Sequence, residues 1–85
     1  MRVALADGVL LEVVSGSGVL TRNNGDVAVL NYTAEFYLRE LAAGRSKQET
    51  ANLAVRRYAV EFEQAMKDMA RLIDDLNKHG YLEVD

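Results

Sequence analysis

Hydrophobic and polar positions change period once along the chain, at Asn31. Before it, short apolar runs sit between glycine, asparagine and aspartate, as strands and turns do; after it, apolar residues recur every three or four positions, as on helix faces. Val9–Val14, VLLEVV, reads as a first strand, with Val3–Leu5 as an earlier part of it across an Asp7-Gly8 turn. Ser15-Gly16-Ser17-Gly18 reads as a loop and Val19–Arg22 as a second strand. Asn23-Asn24-Gly25-Asp26 supplies residues that tolerate positive φ, so a tight hairpin leads into an antiparallel third strand, Asp26–Leu30. Alternation sets Ala28 and Leu30 on one face of that strand and Val27 and Val29 on the other, and one of these pairs faces the helices.

Asn31 and Thr33 can each cap a first helix, whose apolar positions Ala34, Tyr37, Leu38 and Leu41 run to a stop at Gly44. Phe36 falls on the opposite side of that wheel and is expected at the surface, alone or within a contact. Ser46-Lys47-Gln48-Glu49 is a capping box that opens a second helix, with Thr50, Leu53, Ala54 and Tyr58 inward and Arg56 and Arg57 outward. A short connection, Ala59-Val60-Glu61, leads to the longest helix, whose stripe is Phe62, Ala65, Met66, Met69, Leu72, Ile73 and Leu76. Gly80 ends it, and Tyr81–Val84 lies back on the sheet. The pattern predicts an α+β fold, a three-stranded antiparallel sheet followed by three helices.

Length and charge narrow the chemistry. The 85 residues suit one small domain, residues 1–85, that needs neither disulfide nor metal. With no cysteine, thiolate catalysis and thiolate metal binding are excluded, and a cytoplasmic location is the default expectation. No apolar run reaches the roughly 20 residues of a membrane span, and Met1-Arg2-Val3-Ala4 does not open a signal peptide. The net charge of −3 offers no general attraction to nucleic acid or anionic lipid. His79, the one histidine, sits in a last helical turn where imidazole meets unpaired carbonyls; Asp74 and Asp75 diverge by about 100° and do not form a dyad. Met66 and Met69 fall on the core stripe. No catalytic residue, metal or cofactor is therefore expected.

Several pieces resemble one known family in order and spacing. They are Leu30-Asn31-x-Thr33-Ala34, then Leu41-x-x-Gly44-x-Ser46-x-x-Glu49, Tyr58-x-Val60, and Asp68 with Leu72-x-x-x-Leu76-x-x-x-Gly80-x-Leu82. Together they make Val19–Leu82 similar to the PqqD-like domains, or RiPP recognition elements. The family often carries Trp near position 38 and an aromatic pair in the third strand, where this chain has Leu38 and Val27–Val29. The resemblance implies a winged-helix-like domain that binds the leader of a ribosomally made precursor peptide. It also implies handover to a separate enzyme, a radical-SAM enzyme or a leader peptidase, in a pyrroloquinoline quinone, mycofactocin or lasso-peptide type of pathway. The rival reading, a winged-helix DNA-binding regulator, meets a last helix whose acids Glu61, Glu63, Asp68, Asp74 and Asp75 outnumber its bases Lys67, Arg71 and Lys78.

In such domains the leader adds as a strand to the third strand, against the third helix. Carried over, that makes Asp26, Val27, Ala28, Val29 and Leu30 the receiving edge. Asp68, Leu72 and Asp75 form a stripe along one margin of the last helix, Met66 and Ala70 border the other, and the first margin is the one expected to line the groove. The same open edge gives a homodimer a route to form.

Overall fold

The structure is a computed structural model that describes residues 2–85; Met1, the first residue of the stretch read above for a signal peptide, lies outside them. Its order is β1 (Val3–Leu5), β2 (Leu10–Val14), β3 (Ser17–Thr21), β4 (Val27–Leu30), α1 (Tyr32–Ala42), α2 (Lys47–Tyr58), α3 (Phe62–Lys78) and β5 (Leu82–Val84). As the change of period predicts, β2, β3 and β4 form a three-stranded antiparallel sheet and three helices follow. The expected third strand is β4.

The first strands depart from the sequence reading in two ways. Val3–Leu5 is no extension of β2: it pairs antiparallel with β5 in a separate two-stranded sheet, with Val3 opposite Val84 and Leu5 opposite Leu82. Tyr81–Val84 accordingly meets β1 and not the three-stranded sheet. The loop expected at Ser15–Gly18 shrinks to two residues, Ser15 and Gly16, at φ 52° and 83°, the left-handed pair that a two-residue hairpin needs to match strand twist. Ser17 and Gly18 thereby join β3. Gly18 is required there, because a Cβ would stand 2.9 Å from Glu35 Cγ and 3.0 Å from Glu35 Cβ. The second hairpin closes as expected, Arg22 N–H donating to Asp26 O at 2.9 Å and Gly25 N–H to Arg22 O at 3.0 Å.

Cap chemistry sets the helix starts. Asn31 Oδ1 accepts from Ala34 N–H at 2.9 Å, and Thr33, the other cap candidate, donates its hydroxyl to the same oxygen at 3.0 Å. In α2 the Ser46 hydroxyl accepts from Glu49 N–H at 3.0 Å while Ser46 N–H donates to the Glu49 carboxylate at 2.9 Å. The Ser46 N–H foremost, and the Ser46 hydroxyl after it, hold the Glu49 carboxyl below its usual range. Ala59, at φ 56°, turns the chain from α2 into α3.

Leu20, Leu38 and Met69 are fully buried where the sheet, α1 and α3 meet. Phe36 corrects the wheel argument: it is only 3% exposed, edge-on to Tyr58 with ring centroids 5.3 Å apart. A single apolar stripe assumes one packing partner, whereas α1 touches β1, β3, β4, α2 and α3 and is buried on several sides. Phe62 departs in the other direction and is 38% exposed at the start of α3.

Candidate functional site

β4 is an edge strand, and its register fixes which of its groups remain unpaired. In an antiparallel ladder, residues that exchange hydrogen bonds alternate with residues that do not. The Arg22–Asp26 bond starts this alternation, so with Leu20 opposite Ala28 and Gly18 opposite Leu30, the groups of Ala28 and Leu30 turn toward β3. The N–H and C=O of Val27 and Val29 point out from the sheet. Their side chains also stand on the outer face, 56% and 73% exposed, while Leu30 is buried and Ala28 half-buried beneath. Of the five residues Asp26–Leu30, Val27 and Val29 thus offer both main-chain donors and acceptors to an added strand.

β4 runs directly into the N-terminus of α1, and there a groove of about 300 Å³ opens between α1 and α3. Asn31, Thr33, Ala34 and Tyr37 form one wall; Asp68, Arg71, Leu72 and Asp75 form the other. The α3 stripe read from the sequence therefore converges on one site, and Met66 and Ala70 do not line it. Sequence reasoning missed Arg71, although it lies within about 100° of arc with Asp68, Leu72 and Asp75 and the same wheel includes it. It also passed over Tyr37, assigned to the core, and Asn31 and Thr33, assigned to capping. Those assignments are correct as far as they go, and the groove reuses the same side chains.

The groove's electrostatics are mixed. Asp68 is half-buried and accepts from Gln64 Nε2 at 2.8 Å; Asp75 is exposed, and Arg71 brings a positive charge between them. Burial first, and the nearby negative charge of Asp68 second, push the Tyr37 phenol above its ordinary range, so it stays a neutral hydroxyl at physiological pH. A half-buried leucine flanked by carboxylates and a phenol suits a chain with an apolar anchor beside a basic or polar side chain. The remaining candidates have local roles. His79 Nδ1 lies 2.7 Å from Asp75 O, and Asp74 pairs with Lys78 at 3.2 Å. Among the described residues no group of three or more His, Cys, Asp or Glu is placed to hold a metal ion, and no helix is long and apolar enough to cross a membrane. A larger hollow of about 400 Å³ near β1 and β5 sets Arg2, Arg45 and Lys47 against Glu83 and Asp85 and holds none of the groove residues.

The sequence model of coenzyme PQQ synthesis protein D (PqqD) matches residues 8–82. No curated protein matches the chain in sequence. Two solved structures share the fold along nearly their whole length. One is a lasso peptide synthetase B1 complexed with the leader peptide, 25% identical, TM-score 0.89, covering 99% of this chain and 100% of the other. The second is TbiB1 in complex with the TbiA(beta) leader peptide, 18% identical, TM-score 0.83, covering 96% of each chain.

Proposed function

The chain belongs to the family of coenzyme PQQ synthesis protein D, and from that membership we propose that it binds the leader segment of a ribosomally made precursor peptide. Residues 1–85 act as one binding domain. The leader adds as a strand to β4 and lays its inward side chains on α3. It is then presented to a separate modifying or cleaving enzyme, a radical-SAM enzyme or a leader peptidase, and the chain itself turns over no substrate. The observation that carries this reading is the outward-facing backbone of Val27 and Val29 running into the groove of Asp68, Leu72 and Asp75. A similar chain complexed with a leader peptide supports it. A DNA-binding role finds no such support, because α3 presents two carboxylates to the groove.

Main-chain pairing gives selectivity a period of two. Leader residues opposite Val27 and Val29 place their side chains on the outer face beside those valines, and the alternate residues face Leu72 and Tyr37. Amide hydrogen exchange, with synthetic leader segments of candidate precursor peptides, tests the arrangement. The Val27 and Val29 amides should exchange fast in the protein alone and become protected on leader binding, while Ala28 and Leu30 stay protected throughout. Leader binding that leaves Val27 and Val29 fast would overturn the placement on β4.

A further inference from the structure

Charge on this small acidic chain is segregated. Between Tyr32 and Tyr58 the bases Arg39, Arg45, Lys47, Arg56 and Arg57 outnumber the acids Glu35, Glu40 and Glu49, the reverse of α3. A second hollow, of about 400 Å³, lies between α1 and α2 and gathers four of these bases, Arg39, Arg45, Arg56 and Arg57, around Leu53 and Phe36. Two are already partnered, Arg39 with Glu35 at 3.3 Å and Arg45 with Glu40 at 2.8 Å. Among the described residues, Arg56 and Arg57 have no carboxylate within ion-pair reach.

Cations in the last turn of α2 complement the helix dipole, which accounts for a positive charge there. It does not account for the position of Arg57. Its guanidinium lies 5.4 Å from the ring centroids of both Phe36 and Tyr58, and Tyr58 in turn packs 5.3 Å from Tyr32, itself 58% exposed. Exposed tyrosine and ring-stacked arginine are the residue types that carry binding energy at protein interfaces, and stacking orders the guanidinium before a partner arrives. The surface also stands apart from the leader groove. On α1 the groove uses Thr33, Ala34 and Tyr37, whereas this hollow uses Phe36, Arg39 and Glu40, about 115° around the helix.

We propose that the α1–α2 surface docks an acidic segment of the enzyme to which the leader is handed, so that leader and enzyme occupy different faces at once. In naming that enzyme the inference rests on the leader-binding reading, although the surface uses none of the groove residues. Complementary charge decides the occupant: unpaired arginines, one of them stacked on the buried Phe36 and half-buried Tyr58 rings, call for carboxylates, and the net charge of −3 opposes a polyanion that wraps the whole molecule.

The test is a titration of isotope-labelled protein with a capped peptide of eight glutamates around one tyrosine, read by amide and Arg Nε–Hε shifts. A short DNA duplex and vesicles containing anionic lipid serve as rival ligands. Shifts should map to residues 36–57, and Arg56→Glu/Arg57→Glu should weaken the peptide tenfold or more, while Arg2→Glu, a control on the other hollow, changes it less than twofold. All three proteins should bind the leader within twofold of one another. No saturable binding of the peptide, equal weakening by Arg2→Glu, or tighter binding of the duplex or the vesicles than of the peptide overturns the inference. A leader that binds none of the proteins overturns the leader reading and leaves the peptide result to be judged alone.

Discussion

Proline scanning along β4 separates the outward edge from the paired side at single-residue resolution. Val29→Pro removes an N–H that points away from β3, so the ladder keeps its bonds and proline is tolerated, as on other edge strands. Ala28→Pro removes an N–H that donates toward Leu20, leaving a ladder acceptor without its donor. A main-chain hydrogen bond contributes about 0.5–1.5 kcal/mol net, so Val29→Pro should weaken leader binding by about two- to twelvefold. The ring also projects into the incoming strand, which moves the value toward the upper end. Ala28→Pro should instead lower folding stability by about 1–3 kcal/mol, the cost of a half-buried polar group left unpaired. Fluorescence anisotropy with a labelled leader reads the first effect and urea unfolding reads the second; Val29→Ala controls for the lost side chain. Reversed parity would refute the register argument. In that case Val29→Pro unfolds the sheet while Ala28→Pro binds poorly but stays as stable as the parent.

Four further outcomes follow from particular contacts. Leu72→Asp should leave the fold intact and weaken the leader by about 1.5–3 kcal/mol, measured in the same anisotropy assay. Gly18→Ala drives a methyl group against Glu35 and should destabilise by about 1–3 kcal/mol in urea, with Glu35→Ala in the same chain recovering part of the loss by removing the Cγ contact. Ala59→Gly should raise stability by about 0.5–1 kcal/mol in the same unfolding assay, because it relieves a left-handed alanine between α2 and α3. The capping box makes stability depend on acid. Since the folded-state pKa of Glu49 lies below its unfolded value, its contribution is present above the unfolded carboxylate pKa and lost as pH falls through the folded one. Thermal melts of Glu49→Gln and the parent should therefore converge at acid pH and separate at neutral pH.

What the sequence revealed was what neighbouring residues decide among themselves. The Asn31 cap, the Ser46–Glu49 box, the Asn23–Asp26 turn and the Asp68–Leu72–Asp75 stripe are all set within a few positions, and each stands where local chemistry predicts. The β1–β5 pair was illegible because three-residue strands at opposite ends of a chain carry no mutual signal until the core brings them together. Phe36 was misread for a related reason: a wheel records the phase of a helix, not how many neighbours surround it. The groove itself was half legible. Phase assigned its α3 wall, but the link from that wall to β4 came from family resemblance, since no spacing rule connects an edge strand to a helix about 40 residues away.

The β1–β5 pair also decides how the chain responds to tension. Val3 lies opposite Val84, so the start of β1 and the finish of β5 stand side by side at the same end of that ladder. A pull on the two ends loads its hydrogen bonds one after another, like a zip, and never together in shear. The pair should open under little force while the β2–β4 sheet stays assembled. Force on β1 and β5 can then peel away a few residues without disturbing the three-stranded sheet.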